Sequence, residues 1–236
     1  MEHDGVRSQN KTLIAIDGNS LLHRAYYALP GMTARDGTPT GALHGFFSML
    51  LLLTQRQPDY LLVAFDVHGK TFRHLKYEDY KAGRRETPDD LRKQFPLLKE
   101  LLTDMGIAVI ECPGFEADDI LGTMAMRCGR KGIDALLVTG DRDALQLVSE
   151  STHVLMTKKG ITETVEYTPE KLMETYGLTP DRMRDLKGLM GDTSDHIPGI
   201  PGVGEKTALR LLGEYGTLNA VLQHAGEIKG KLGERI

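Results

Sequence analysis

Three short apolar runs that each stop on a carboxylate constrain this chain more than anything else in it. Leu13-Ile14-Ala15-Ile16 ends in Asp17. Tyr60-Leu61-Leu62-Val63-Ala64-Phe65 ends in Asp66, and Ala135-Leu136-Leu137-Val138-Thr139 leads through Gly140 to Asp141 and Asp143. None alternates polar with apolar residues, so each predicts a strand buried on both faces. Helix-length stretches lie between them: Leu21–Leu29, Ala42–Thr54, and a helix from Thr87-Pro88-Asp89-Asp90 to about Met105, with Pro and acids in its first turn. Ile107–Glu111 reads as a further strand, and His153–Met156 and Thr162–Tyr167 as two short late ones. After a polar tail over residues 1–10, this pattern predicts an α/β domain over 11–176, with a mostly parallel central sheet flanked by helices. Beyond Pro169 the helical patterns Lys171–Tyr176, Pro180–Met190 and Lys206–Tyr215 continue without a strand, so a small all-helical domain is expected over 177–236. The chain stops at Gly233-Glu234-Arg235-Ile236 without a terminating signal and reads as truncated within that domain.

Strands of a parallel sheet deliver their carboxyl ends to one edge, where open α/β sheets bind ligands. Asp17, Asp66, Asp141 and Asp143 are therefore expected together. Glu116-Ala117-Asp118-Asp119 follows the third strand and opens a helix, which puts Glu116 and Asp119 on one face with Asp118 beside them. Asp192 and Asp195 join the group if the helical domain packs against the same edge. Any one of these acids alone reads as a cap or turn residue. Acids at four separate strand ends do not. Two bare carboxylates 4 Å apart repel by about 4 kcal/mol at an effective dielectric of 20, so the group calls for cations. An all-oxygen ligand set selects hard ions, Mg²⁺ or Mn²⁺, and paired ions about 4 Å apart serve phosphodiester chemistry.

From Lys70 to Arg85 six Lys and Arg residues face two acids, a balance of +4. Tyr77 and Tyr80 interleave with Arg73, Lys81, Arg84 and Arg85. Cations track phosphates and aromatic rings stack bases, so the segment reads as a nucleic-acid contact, with Lys81 and Arg84 able to offset charge at a scissile phosphate. The whole chain carries 29 Lys and Arg against 33 Asp and Glu, a formal charge of -4 that argues superficially against a polyanion partner. Setting the nine candidate ligands aside leaves 24 acids against 29 bases, or +5, so the acidity is local.

Gly199-Ile200-Pro201-Gly202-Val203-Gly204-Glu205-Lys206-Thr207-Ala208 approaches a nucleotide-binding G-x-x-x-x-G-K-[ST] loop but fails it, because Glu205 separates Gly204 from Lys206 and no buried strand precedes it. A helix–hairpin–helix fits better. Gly202 and Gly204 allow close approach to a phosphate, and Lys206 and Thr207 add polar contacts at a helix start. Cys112 and Cys128, without a CxxC spacing, exclude a disulfide framework and a cysteine zinc site, which suits a reduced, cytoplasmic chain. Apolar runs such as Met49–Leu53 are far too short to span a bilayer.

Eight blocks in order carry a resemblance over about Thr12 to Ile236: Ile16-Asp17-Gly18, Phe65-Asp66, Phe72-Arg73-His74, Tyr80-Lys81-Ala82-Gly83-Arg84, Gly114-Phe115-Glu116-Ala117-Asp118-Asp119, Gly140-Asp141-Arg142-Asp143, Gly191-Asp192-Thr193-Ser194-Asp195 and Pro201 through Ala208. Together they resemble the 5′ nuclease (flap endonuclease) superfamily, and within it the amino-terminal 5′→3′ exonuclease module of bacterial DNA polymerase I. The resemblance implies a PIN-like 5′ nuclease core and assigns all nine carboxylates to metal binding. It makes 68–99 a helical arch that passes a free 5′ single strand, with Lys81 and Arg84 at its base, and gives the hairpin a duplex-gripping role with a K⁺ ion. It implies a monomeric enzyme that cuts DNA at 5′ flaps, nicks and 5′ ends, RNA primer–DNA junctions included, in replication and repair, and is compatible with a polymerase module beyond residue 236. One departure stands out: the family pattern Ser-Asp-Asn is here Ser194-Asp195-His196, an exchange expected to tune hydrogen bonding beside a ligand. Three other readings remain open, a stand-alone 5′→3′ exonuclease, a PIN-type ribonuclease and a non-catalytic binder of DNA structures.

Overall fold

The computed structural model describes residues 10–158 and 163–236. The polar tail before Asn10, and Thr162 of the last expected strand, lie outside the described residues. Six strands form one sheet in the order β3-β2-β1-β4-β5-β6. They are β1 (Thr12–Asp17), β2 (Tyr60–Phe65), β3 (Ala108–Glu111), β4 (Asp134–Thr139), β5 (Thr152–Thr157) and β6 (Thr164–Tyr167). Every pairing is parallel except β5 with β6. That exception follows from chain length, because residues 158–163 are too few for the crossover that a parallel neighbour requires.

Strand side chains divide between two cores. Ile14, Ile16, Val63, Phe65, Leu136 and Val138 face helices α1 (Gly18–Ala28), α2 (Gly41–Thr54) and α5 (Gln94–Asp104). Leu13, Ala15, Leu62, Ala64, Ala135 and Leu137 face α6 (Ala117–Gly129) on the other side. The period of two explains the division, and burial on both faces explains why the strands read as unbroken apolar runs. The second core continues through Leu172 of α7 (Pro169–Tyr176) into the helical region. Leu186 and Leu189 of α8 (Met183–Met190) and Ala208 and Leu211 of α9 (Glu205–Tyr215) belong to the same cluster as Leu137 and Leu145. The helical region is thereby packed against the 3-10 turn Arg142–Leu147 that follows β4.

The helix expected from Thr87 to Met105 is two, α4 (Asp89–Arg92) and α5, separated at Lys93. Pro96 has no N–H to donate to the Arg92 carbonyl, so the helical ladder is interrupted there. The expected arch over 68–99 is helical only in parts. It holds α3 (Phe72–Lys76), α4 and the start of α5, and residues 77–88 between them are not helical. Left-handed backbone at Lys81 (φ 58) and Gly83 (φ 76) and the extended Pro88 prevent a continuous helix.

Candidate active site

The crossovers from β1 and β4 leave toward opposite sides of the sheet, since β2 lies on one side and β5 on the other. The crevice at such a reversal is where open α/β sheets place ligands. Asp17, at the end of β1, caps α1 by accepting from the Ser20 N–H at 2.9 Å and also accepts from Thr139 Oγ1 at 2.9 Å. Gly18 is required here because a Cβ would stand 2.4 Å from the Phe65 ring. Asp66, after β2, accepts from the Ala117 N–H at 2.7 Å, and its own N–H donates to Asn19 Oδ1 at 3.0 Å. Asp141, after β4, accepts from the Asp143 N–H at 2.9 Å. Asp118 sits in the first turn of α6, and its Oδ1 is buried without a hydrogen-bond partner. These four acids line one cavity with Glu116, Lys81, Arg84 and His23. Among the described residues none of the four is in a salt bridge.

This crowding shows in the acidities. Burial, then Asp17, Asp141, Asp66 and Asp143 in turn, push the Asp118 carboxyl up to about 8. Burial first, with Asp66 and Asp141 adding to it against the bonds from Ser20 and Thr139, raises Asp17 to about 6. Four such groups cannot all ionise together without a cation. The orphaned Asp118 oxygen and the all-oxygen donor set fit a hard divalent ion.

A second group adjoins the first. Asp143, Asp192 and Asp195 bring carboxylate oxygens within 4.8 Å of one another. The helical domain contributes Asp192 and Asp195 from a tight loop, closed by the paired backbones of Asp192 and Ile197. Gly191 (φ 71) is indispensable to it, since a Cβ would meet the Gly199 nitrogen at 2.3 Å. Protein cations face this group. Lys187 Nζ lies 2.7 Å from Asp143 Oδ1 and 2.5 Å from Asp192 Oδ2, and Arg84 pairs with Asp195. Burial works to raise Asp192, but Lys187 and Ser194 bring it down to about 2.

Asp119 departs from the expected ligand set. Its two oxygens take a bidentate pair from Arg73 at 2.7 and 2.9 Å, and Oδ2 also accepts from the Glu116 N–H at 2.9 Å. Asp119 therefore faces α3, whereas Asp118 faces the cavity. The same contact corrects the expectation for Arg73, which is consumed in holding α3 against α6 instead of standing free for a nucleic acid. Tyr80 is likewise buried, donating its hydroxyl to Glu116 Oε2 at 3.0 Å, so it anchors the basic segment and offers no stacking face. Lys81 Nζ meets Glu116 Oε1 at 2.9 Å, and Arg84 also donates to the Ser194 carbonyl at 3.2 Å. Tyr77 and Arg85 remain exposed.

The hairpin between α8 and α9 presents Gly202 (φ 82), Gly204 and Lys206 at the surface and Thr207 half-buried. Gly204 is the extended N-cap of α9, and its carbonyl accepts from Thr207 and Ala208, leaving the Glu205 and Lys206 N–H groups of the first turn without an intrahelical acceptor. His196 occupies left-handed backbone (φ 58) with an exposed side chain, and its carbonyl accepts from the Tyr77 hydroxyl at 3.2 Å. The demand at this position is thus conformational, which Asn meets better than His. Lys187, Thr139 and Asn19 escaped the sequence reading. Lys187 lies five residues before Asp192 on an amphipathic helix, where a lysine looks like a solvated surface residue.

A sheet edge that gathers carboxylates beneath a basic segment, beside a helical hairpin, defines a nuclease of the 5′ nuclease class. The 5′-3′ exonuclease N-terminal resolvase-like domain family matches residues 12–177, and the 5′-3′ exonuclease C-terminal SAM fold family matches 178–236. The chain belongs to the 5′-3′ exonuclease family, of the type found in the N-terminal region of bacterial DNA polymerase I. It is 52% identical over 220 residues to DNA polymerase I of Geobacillus stearothermophilus, covering 93% of this chain and 25% of that one. With the Bacillus subtilis polymerase it shares 44% over 225 residues, 95% of this chain and 26% of that one. The chain thus spans about a quarter of the length of these relatives. In fold it is similar to bacteriophage T5 5′-exonuclease with bound zinc ions (TM-score 0.76, 21% identity, 95% of this chain and 83% of that one). It is also similar to the T5 flap endonuclease in a complex with DNA and metal ions (TM-score 0.74, 20% identity, 95% and 83%). Among the described residues no helix is long and apolar enough to cross a membrane.

Proposed function

We propose that this chain hydrolyses DNA phosphodiester bonds at 5′ flaps, nicks and 5′ ends, using two divalent ions, Mg²⁺ or Mn²⁺. Asp17, Asp66, Glu116, Asp118 and Asp141 would hold one, and Asp143, Asp192 and Asp195 the other. The observation that carries this reading is the buried, partnerless Asp118 oxygen among three more acids that lack a protein cation. When bound, such ions supply Lewis-acid stabilisation of charge on phosphate and a more acidic water.

The chain's own residues do the rest. Lys81 and Arg84 stand over the acids and offset charge at the phosphate, and Glu116 orients the Lys81 ammonium at 2.9 Å. Asp119 and Arg73 act as positioning residues that fix α3 and so the basic segment. Tyr77 and Arg85 contact the 5′ strand. The free N–H groups at the start of α9, with Lys206 and Thr207, grip a duplex phosphate without reading sequence, and a K⁺ ion at the hairpin belongs to the same reading. In this scheme residues 11–176 are the catalytic domain and 177–236 the DNA-binding domain, serving primer removal and repair, and the relatives' name, DNA polymerase I, agrees with a polymerase module beyond residue 236. Incubation with end-labelled 5′-flap DNA tests it. Products that require Mg²⁺ and vanish with chelator support it. Preferential cleavage of unstructured RNA would favour a PIN-type ribonuclease, and tight flap binding without products a non-catalytic binder.

A further inference from the structure

The protein itself compensates the charge of the two aspartate groups in different ways. Asp17, Asp66, Asp118 and Asp141 are satisfied, where they are satisfied, by backbone N–H groups and a hydroxyl. None of them pairs with Lys, Arg or His among the described residues. In the second group every acid has a cation: Lys187 serves Asp143 and Asp192, and Arg84 serves Asp195. Lys187 reaches in from α8, whose core-facing Leu186 and Leu189 fix the helix on the second apolar core. Its ammonium is aimed by the other bonds at the site. Asp192 Oδ1 is filled by the Ser194 N–H at 2.8 Å and the Ser194 hydroxyl at 2.6 Å, so only Oδ2 turns toward Lys187.

We propose that Lys187 is a resident cation of the Asp143–Asp192 pair: it occupies the second ion's ground in the metal-free protein, and a divalent ion must displace it to bind there. The inference rests on the two-ion reading above and deepens it. An ammonium between two carboxylates offsets the repulsion between them. The metal-free second group is therefore comfortable, and an incoming ion competes with a tethered charge. In the first group only Glu116 is paired, with Lys81 and Arg73, while Asp17, Asp66, Asp118 and Asp141 face no such competitor among the described residues. Ion binding is then ordered, tight at Asp17, Asp66, Asp118 and Asp141 and weak at Asp143 and Asp192, with the second ion favoured once the phosphate of a substrate draws Lys187 away. A lysine that a phosphate can recruit makes occupation of the second group depend on DNA, and so limits cleavage before substrate arrives.

Mn²⁺ titration of the DNA-free chain, followed by calorimetry and by the electron paramagnetic resonance of free Mn²⁺, tests this without an activity assay. Wild type is expected to show one tight and one weak class. Lys187→Met should raise the affinity of the weak class on the order of tenfold, about 1.4 kcal/mol, and leave the tight class unchanged, while Lys187→Arg retains weak binding. Because Lys187→Met could loosen α8, Lys187→Gln serves as a second neutral variant, and the Mn²⁺-induced rise in Tm should be larger for either neutral variant than for wild type. An unchanged or lowered weak-class affinity in both folded neutral variants overturns the proposal and leaves the two-ion reading intact. Failure of wild type to bind Mn²⁺ at all, or a tight class that survives Asp118→Asn, instead overturns the metal reading itself.

Discussion

The backbone N–H of Lys81 donates to the carbonyl of Asp195 at 2.9 Å, and it does so from left-handed backbone at φ 58. That bond ties the basic segment to the helical domain at the residue whose side chain pairs with Arg84. A β-carbon in this conformation costs roughly 1–2 kcal/mol, a strain the surrounding contacts must hold. It turns the Lys81 side chain back onto Glu116.

Lys81→Ala should therefore lower single-turnover cleavage of flap DNA by about 10²–10³, the scale for loss of one group that stabilises charge in the transition state. Lys81→Gly should be equally inactive yet more stable to denaturant than Lys81→Ala, because glycine accepts the left-handed backbone without strain. Near-wild-type cleavage by either variant would remove Lys81 from the catalytic set.

Asp118→Asn removes a buried carboxylate that lacks a partner. In chelator its Tm should rise, by about 2–4 °C for each kcal/mol of relieved repulsion. The gain in Tm that Mg²⁺ gives the wild type should shrink in the variant. Differential scanning calorimetry with and without Mg²⁺ measures both, and a lower Tm in chelator would contradict the repulsion.

The raised acidities of Asp17 (about 6) and Asp118 (about 8) set a pH dependence. Both lie above the unfolded value of 3.8, so the folded protein holds more protons over that interval. Their protonated forms stabilise fully below about pH 4, and that contribution is lost as pH rises through 6 and then 8. Burial and then Arg84 hold His23 below 6.5, which works the other way but only up to 6.5. The Tm of metal-free protein should thus fall clearly between about pH 6.5 and 8, and saturating Mg²⁺ should flatten the fall. A flat profile in chelator would refute it.

His196→Asn should stabilise the chain by up to about 1 kcal/mol in urea denaturation, since Asn tolerates left-handed backbone better than His does. Cleavage should be unchanged, because the His196 side chain is exposed and the contact to Tyr77 is made by its backbone carbonyl. A loss of activity with unaltered stability would return the residue to the hydrogen bonding of the site.

Unbroken apolar runs made β1, β2 and β4 legible, and chain order alone placed Asp17, Asp66 and Asp141 at their carboxyl ends. These are local properties: an apolar run without alternation states that both faces are covered, and a parallel sheet aligns its ends. The partners of long side chains were not local. Asp118 and Asp119 are neighbours in sequence and alike in chemistry, yet one lies buried in the cavity and the other is bound to Arg73, 46 residues away. Lys187 looked like a solvated residue of α8 until the packing of that helix against the turn after β4 brought it onto Asp143. The amino-acid sequence by itself determined the strands, their order of chemistry and the excess of acid at one edge. Only the tertiary structure decided which acids are left bare and which are neutralised, because a charge is paired by whatever the packed cores carry to within a few ångströms of it.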